Sequence, residues 1–197
     1  MSITHSAEDP EYISDGRRRK GRQRRRLLLE ATMAVIARDG VAAVTQRRVA
    51  AQAKVPPSTV TYYYATIDDL LVATLTQVND AYVWVVENLP RDPDVALRGF
   101  AALIAEGVDH DRAHALAEME LFLIAARRPT LREQVMRWND AVDAFLTPYL
   151  PDPAARAGVI AASDGYFLRC CVLDPPPSAE EVYQALRRLI DREGGTD

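Results

Sequence analysis

Apolar residues recur at every third or fourth position along most of the chain, and no stretch alternates apolar with polar residues as a half-buried strand does. The first such segment predicts a helix from about Arg19 to Asp39, which Gly40 ends. Proline, glycine and capping residues divide the rest of the chain into eight further segments. The pattern therefore predicts an all-α fold of about nine helices.

Two short helices come after the first one. Thr45 is a good N-cap for a helix that ends at the break Lys54–Pro57, and proline at a first helical position favours a restart over Pro57–Tyr63. Helix, turn and helix of this size form a helix-turn-helix, the unit that places its second helix in a DNA major groove. The pattern predicts an N-terminal helix-turn-helix domain.

Six longer helices are predicted behind this unit. Thr66 with Asp69 caps the first of them, and Ser178 with Glu181 forms a capping box for the last. Asp92, Asp111 and Asp152 are further expected starts, and Thr130 with Glu133 forms another expected capping box. The predicted helices run over about 66–89, 92–108, 111–128, 130–147, 152–173 and 178–192.

These boundaries predict three parts. Residues 1–16 form a disordered tail, residues 17–66 form the helix-turn-helix domain with a basic arm, and residues 67–193 form a larger helical domain. Disorder is predicted for Met1–Asp15 and for Gly194–Asp197.

Charge is distributed unevenly along the chain, although the net charge is only −4. Residues 16–66 carry 12 Lys and Arg against two acids, whereas residues 67–197 carry 12 Lys and Arg against 22 acids. A basic front joined to an acidic back indicates that the front part meets a polyanion.

The remaining composition is that of a cytoplasmic protein. Cys170 and Cys171 are adjacent in an apolar run, which favours reduced core residues over a disulfide. Neither a signal peptide nor a membrane-spanning segment is expected, because the basic run near the N-terminus is not followed by a long apolar stretch.

The helix-turn-helix carries side chains suited to DNA. No acid lies between Gly40 and Thr66, and the second short helix presents hydroxyl groups able to meet phosphates and base edges. With the basic residues before them, the predicted DNA-binding residues are Arg17, Arg18, Arg19, Lys20, Arg22, Arg24, Arg25, Gln46, Arg47, Arg48, Lys54, Ser58, Thr59, Thr61, Tyr62 and Tyr63.

Residues 24–71 resemble the DNA-binding region of the TetR (tetracycline-repressor) family of bacterial regulators. The resemblance rests on Gly40, Thr45, Val49-Ala50, Val55, Thr59, Tyr64 and Leu70-Leu71 at their spacing. It implies a phosphate contact for Thr45, a base contact for Arg47 and groove contacts along Pro57–Tyr63. A glycine of the family's turn is replaced by Lys54, which would strain the backbone if its φ is positive.

Eight of the ten residues from Arg17 to Arg26 are basic. Such a run is often only a solvated tail. Directly before a DNA-binding unit, it favours an arm that follows phosphates or enters the minor groove, and the sequence leaves both modes open.

The resemblance also implies that residues 67–193 are a ligand-binding and dimerisation domain, with a ligand cavity and a dimer interface. The last two helices, Pro153–Leu173 and Ala179–Arg192, are the expected dimer interface, and a two-fold dimer implies a palindromic operator in double-stranded DNA. A small-molecule effector is expected among the helices of residues 66–173, although aromatic residues at helical spacing are usually core, and Glu120 and Arg169 could simply pair. The predicted ligand-binding residues are Tyr82, Met119, Glu120, Phe122, Leu123, Trp138, Asn139, Tyr166 and Arg169.

No catalytic or cofactor motif is present in the sequence. His110 and His114 have a spacing that can chelate a metal on a helix, but no carboxylate–histidine motif accompanies them, so neither a metal nor a cofactor is expected. The sequence favours a repressor released from its operator by a ligand. The alternatives are an activator, a partner-regulated DNA-binding protein, or an adaptor for RNA or a membrane surface.

Overall fold

The computed structural model describes the backbone of residues 10–193 and the side chains of residues 18–106 and 111–191. Within that part of the chain there are nine α-helices, one 3-10 turn and no strand. The helices are α1 (Pro10–Asp39), α2 (Gln46–Gln52), α3 (Pro57–Tyr63), α4 (Ile67–Glu87), α5 (Pro93–His110), α6 (Arg112–Ile124), α7 (Pro129–Leu146), α8 (Pro153–Val172) and α9 (Ala179–Glu193), and the 3-10 turn is Val41–Ala43.

The all-α prediction is confirmed, and most helix ends follow from local caps. Asp92, Asp111 and Asp152 each accept a backbone N–H at the start of a helix. Thr66 with Asp69 forms a reciprocal capping box at α4. Ser178 with Glu181 forms another at α9, where the Glu181 N–H and the Ser178 hydroxyl lie 3.2 Å apart.

Two predicted boundaries are wrong. α1 begins at Pro10, so the predicted disorder does not hold for residues 10–16. Proline is favoured at the first helical position, and arginine has a high helix propensity, so the charged run continues the helix. The expected capping box at Thr130 is absent because Pro129 starts α7 one residue earlier and Arg128 becomes an N-cap without a side-chain bond. Residues 1–9 and 194–197, where disorder was also predicted, lie outside the described part.

The buried apolar residues form two cores. The first core joins α1, α2, α3 and the first half of α4, and the second joins α5, α7, α8 and α9. α6 contributes Ala117 and Leu121 to the first core, together with Ala125 directly after its end, and it contributes Ala115 to the second. α6 is therefore packed between the two halves of the molecule.

None of the described helices is long and apolar enough to cross a membrane.

Candidate DNA-binding surface and ligand cavity

Local geometry fixes the angle between α2 and α3. The Thr45 side chain accepts the Arg48 N–H at 3.2 Å and caps α2. At the other end, the Val55 N–H bonds to the Ala50 carbonyl at 2.9 Å and the Lys54 N–H bonds to the Ala51 carbonyl at 3.2 Å. These two bonds form a Schellman motif, which requires a left-handed residue. Lys54 supplies it with a φ of 54°, so the conditional expectation of a strained backbone there is met.

Most of the predicted DNA-binding side chains are exposed. Gln46, Thr59 and Tyr63 are half-buried, and the side chain of Arg17 lies outside the described part. The others are exposed, namely Arg18, Arg19, Lys20, Arg22, Arg24, Arg25, Thr45, Arg47, Arg48, Lys54, Pro57, Ser58, Thr61 and Tyr62.

Contacts among these residues hold the unit together. The Gln46 amide donates to the Ala65 carbonyl at 3.3 Å and accepts the Thr61 hydroxyl at 3.2 Å, which ties α2 to α3. Arg48 lies 3.5 Å from Asp39, whose pKa is lowered mainly by its hydrogen bond with Arg38 and also by the charge of Arg48. Gln46 and Arg48 therefore have structural partners besides any DNA that they meet.

An aromatic pair ends α3. The Tyr62 side chain is 82% exposed, and its ring meets the Tyr63 ring edge-on at 5.1 Å between centroids. The Arg25 guanidinium of α1 lies 5.7 Å from the Tyr63 ring centroid. This contact joins the basic part of α1 to the end of α3.

A cavity of about 360 Å³ lies among α4, α5, α6, α7 and α8. Trp138 forms part of one wall, with its ring centroid 6.0 Å from that of Tyr82 and 6.5 Å from that of Phe100. The wall residues are Leu75, Val78, Asn79, Tyr82, Leu103, Ile104, Glu118, Met119, Phe122, Leu123, Trp138, Ser163, Asp164, Gly165, Phe167 and Leu168.

The structure brings together five of the nine predicted ligand-binding residues, namely Tyr82, Met119, Phe122, Leu123 and Trp138. Asn139, Tyr166 and Arg169 do not line the cavity. Tyr166 packs against the second core, and the Arg169 guanidinium lies 6.0 Å from its ring centroid. Asn139 has a buried side-chain oxygen without a hydrogen-bond partner in the described part.

Glu120 is also outside the cavity, because it points to the opposite side of α6. Its carboxylate accepts the Val41 backbone N–H at 2.6 Å, at the 3-10 turn before α2. Gly40 lies beneath it, and a Cβ built there would be 3.5 Å from Glu120 Oε2. Glu120 is therefore a contact between α6 and the helix-turn-helix domain, and it neither anchors a ligand in the cavity nor pairs with Arg169 as the sequence had suggested.

The sequence reasoning missed two cavity acids, Glu118 and Asp164. Glu118 is 8% exposed, and its carboxylate accepts the Tyr82 hydroxyl at 2.8 Å and lies 3.3 Å from His114 Nε2. Burial raises the pKa of Asp164, and a hydrogen bond with Trp138 acts in the opposite direction. The signal that could have found Glu118 is its place one turn before Phe122, on the same side of α6.

The remaining chemistry-bearing residues have ordinary surroundings. His114 contacts Glu118, the side chain of His110 lies outside the described part, and among the described side chains no three His, Cys, Asp or Glu could hold a metal ion. Cys170 and Cys171 are buried thiols that form no disulfide, as expected, and burial raises the pKa of Cys171 to about 11.

The two helices predicted to form the dimer interface differ in what they expose. Val182 and Leu186 of α9 are buried in the chain's own core, so they are not free to meet a second subunit. α8 instead exposes small and apolar residues at helical spacing, namely Gly158, Ala161, Gly165, Leu168 and Val172. The part that these faces play in a dimer stays a prediction.

Two family descriptions match the chain. "Bacterial regulatory proteins, tetR family" matches residues 28–74, and "Tetracyclin repressor-like, C-terminal domain" matches residues 91–192. None of the curated proteins matches.

Solved structures are similar over most of the chain. The multidrug binding protein EbrR complexed with ethidium is 36% identical, over 84% of this chain and 97% of that one, with a TM-score of 0.72. EbrR complexed with malachite green and with proflavin is similar too. SCO1917 of Streptomyces coelicolor A3, a member of the TetR family, is 36% identical over 84% of this chain and 97% of that one, with a TM-score of 0.75. A regulator from Haloarcula marismortui shares the fold at 19% identity and a TM-score of 0.76.

The helix-turn-helix and the helical domain behind it, with its partly open cavity, are those of a DNA-binding regulator of transcription. The chain belongs to the TetR family, whose members bind DNA and small molecules and are dimers. It is a family of regulators and not of enzymes.

Proposed function

We propose that this protein is a dimeric repressor that binds a palindromic operator in the cytoplasm and leaves it when an aromatic cation enters the cavity. The observation that carries the proposal is the aromatic cavity with Glu118 and Asp164 in its wall. A carboxylate in a poorly hydrated wall attracts a positively charged guest more strongly than it would in bulk water. A neutral guest of the same size would gain no such attraction.

The known ligands of the similar structures support this class of ligand. Ethidium, malachite green and proflavin, which are bound in EbrR, are flat or propeller-shaped aromatic cations. The ring of Trp138, with Tyr82 beside it, offers a surface on which such a ring can stack.

Operator recognition is assigned to the exposed surface of α2 and α3. Two recognition helices in a two-fold dimer would lie about 34–36 Å apart and read two half-sites related by a palindrome. Thr59 and Thr61 are proposed to contact base edges or phosphates, and Thr45 and Arg47 are proposed to contact the adjoining backbone and base.

Release is proposed to act through α6. Met119 and Phe122 face the cavity, while Glu120 and Leu121 face the helix-turn-helix domain. A ligand that favours one position of α6 therefore also favours one position of the helix-turn-helix domain. A ligand with equal affinity for both positions would have no effect.

The test starts from duplexes that the purified protein enriches from a random library. We expect the sites to be palindromic and malachite green to release them. Thr59→Ala should lower operator affinity by about 5- to 150-fold, because it removes one base contact. It should leave dye binding unchanged.

The matched control is Glu118→Gln, which should bind the operator normally and need more dye for release. Because the same dye and DNA are present, this variant separates binding in the cavity from binding of dye to DNA. Dye binding to the cavity without release of the operator would contradict the proposal. So would affinity that depends on the arginines of α1 and not on Thr59.

A further inference from the structure

Glu118 lies between two spaces. One is the cavity, and the other is a wide surface groove of about 1960 Å³ bordered by α1, α4 and α6. Val78, Tyr82 and Glu118 line both, and His114 lines the groove alone. The wall between the groove and the cavity therefore contains an ionisable cluster, which we define as Tyr82, Glu118 and His114.

Each member of this cluster has a different exposure. The side chain of His114 is 47% exposed and that of Glu118 is 10% exposed, with 3.3 Å between His114 Nε2 and Glu118 Oε1. Tyr82 donates to the other carboxylate oxygen at 2.8 Å. Both oxygens of Glu118 thus have a partner, and of the three residues in the cluster only His114 can carry a positive charge.

We propose that an aromatic cation reaches the cavity through this groove and replaces protonated His114 as the counter-ion of Glu118, so that binding releases a proton. The inference rests on the proposed function. The imidazolium gives its Nε2 proton to solvent, and no covalent bond forms or breaks. Glu118 then keeps one positive partner throughout, which avoids two cations beside one buried carboxylate.

The charges around His114 support the exchange. Its pKa is raised, first by the hydrogen bond with Glu118 and then by the charges of Glu118 and Asp111, while burial acts in the opposite direction. From the neighbouring helices, Tyr82 of α4 and Cys171 of α8 interact with Glu118, and both have raised pKa values, so they are neutral near pH 7. The groove also contains Arg22, Arg25, Arg26, Arg38 and Glu30 of α1, Asp69 and Asp80 of α4, and Glu133 of α7.

These charges set the sign of the pH dependence. A bound cation lowers the pKa of His114 from its raised value in the empty protein, so cation affinity increases with pH between the two values. One linked proton gives at most a tenfold change in Kd per pH unit.

The experiment is a fluorescence titration of the full-length protein with ethidium between pH 5.5 and pH 8.5, without DNA. We expect the Kd of the wild type to fall with pH, by up to about tenfold per unit at its steepest. His114→Gln keeps an N–H for Glu118 but cannot titrate, and should give a nearly flat profile close to the high-pH wild type. Asp164→Asn is the matched control. Because the pKa of Asp164 is also raised, Asp164 is the other candidate for the group whose titration changes the Kd, and this variant should keep the wild-type dependence of Kd on pH.

Two further measurements make the result independent of any variant's folding. Calorimetry of wild-type binding in buffers of different ionisation enthalpy should show proton release near pH 7. Phenanthrene, a fused aromatic of similar shape without a basic nitrogen, should bind with little pH dependence. Tight ethidium binding without proton release, or a His114→Gln profile as steep as the wild type, would overturn the inference while leaving the proposed function intact. Failure of ethidium to bind at every pH would overturn both.

Discussion

Lys54 and Gly40 are the two residues with a left-handed backbone in the described part of the chain, and they are chemically opposite. A lysine incurs a steric penalty at a φ of 54°, because its Cβ approaches the following carbonyl. Lys54→Gly removes that penalty but also frees the unfolded chain, so we expect a net gain of about 0.5–1 kcal/mol in the free energy of unfolding. Urea denaturation at fixed protein concentration measures it.

Gly40→Ala provides the comparison. Gly40 has a φ of 79° and a ψ of 162°, a region that is essentially restricted to glycine. Alanine there should lower the free energy of unfolding by about 1–3 kcal/mol. A lower urea midpoint for Lys54→Gly would contradict the assignment of strain at that turn. Lys54→Gly also removes a positive charge near the DNA, which should weaken operator binding. Denaturation without DNA does not measure that effect.

At the scale of elements, α6 shows how one helix can serve two cores. Leu121 is fully buried in the first core, while Leu123 is 65% exposed and lines the cavity. Leu121→Ala should therefore cost about 2–5 kcal/mol of unfolding free energy, because truncation leaves a cavity in a packed site.

Leu123→Ala is the matched control on the same helix. It should change the urea midpoint much less and alter dye affinity instead, because little of its surface is buried in the absence of ligand. Equal losses of stability from the two variants would show that α6 does not have one face in the core and another at the cavity.

The helices were predictable because their ends carry local signals. Gly40 and the cap residues Thr66, Asp92, Asp152 and Ser178 act within one turn, so the sequence alone contains the information. The start of α1 was not predictable from charge, because a run of arginines is compatible with both a helix and a tail. The position of α7 was missed by one residue because Pro129 competed with Thr130 for the start.

The cavity was predictable only in part, and α6 is the reason. Successive residues on a helix are rotated by about 100°, so Glu118 and Glu120, two positions apart, point about 200° apart and face different neighbours. On a surface helix, a single apolar face would show which of the two acids points inward. α6 is packed on two sides and has apolar residues all round its axis, so its sequence does not show this. Only the tertiary structure reveals which acid faces the cavity and which reaches the Val41 turn.

At the scale of the whole molecule, the basic front of the chain is a helix. An α-helix with side chains is about 10–12 Å wide, whereas the minor groove is about 6 Å wide. Unless it unwinds, the basic part of α1 cannot enter the minor groove, so of the two modes left open by the sequence we favour contact with phosphates. The Arg25–Tyr63 contact keeps this part of α1 near the end of α3, where the flanking backbone of an operator would lie.

Phosphate contacts of this kind predict a specific salt dependence. Each one adds about 0.9 to the slope of log affinity against log salt, so the double variant Arg18→Gln/Arg19→Gln should reduce the slope by up to about 1.8 per chain. Arg91→Gln/Arg127→Gln removes the same charge from exposed positions in the acidic half and should leave the slope unchanged. The ratio of operator to random-duplex affinity should stay nearly constant in both, because phosphate contacts do not read sequence. The measurement is operator affinity between about 50 and 200 mM salt. Equal slopes of log affinity against log salt in the two double variants would mean that the arginines of α1 do not touch the DNA.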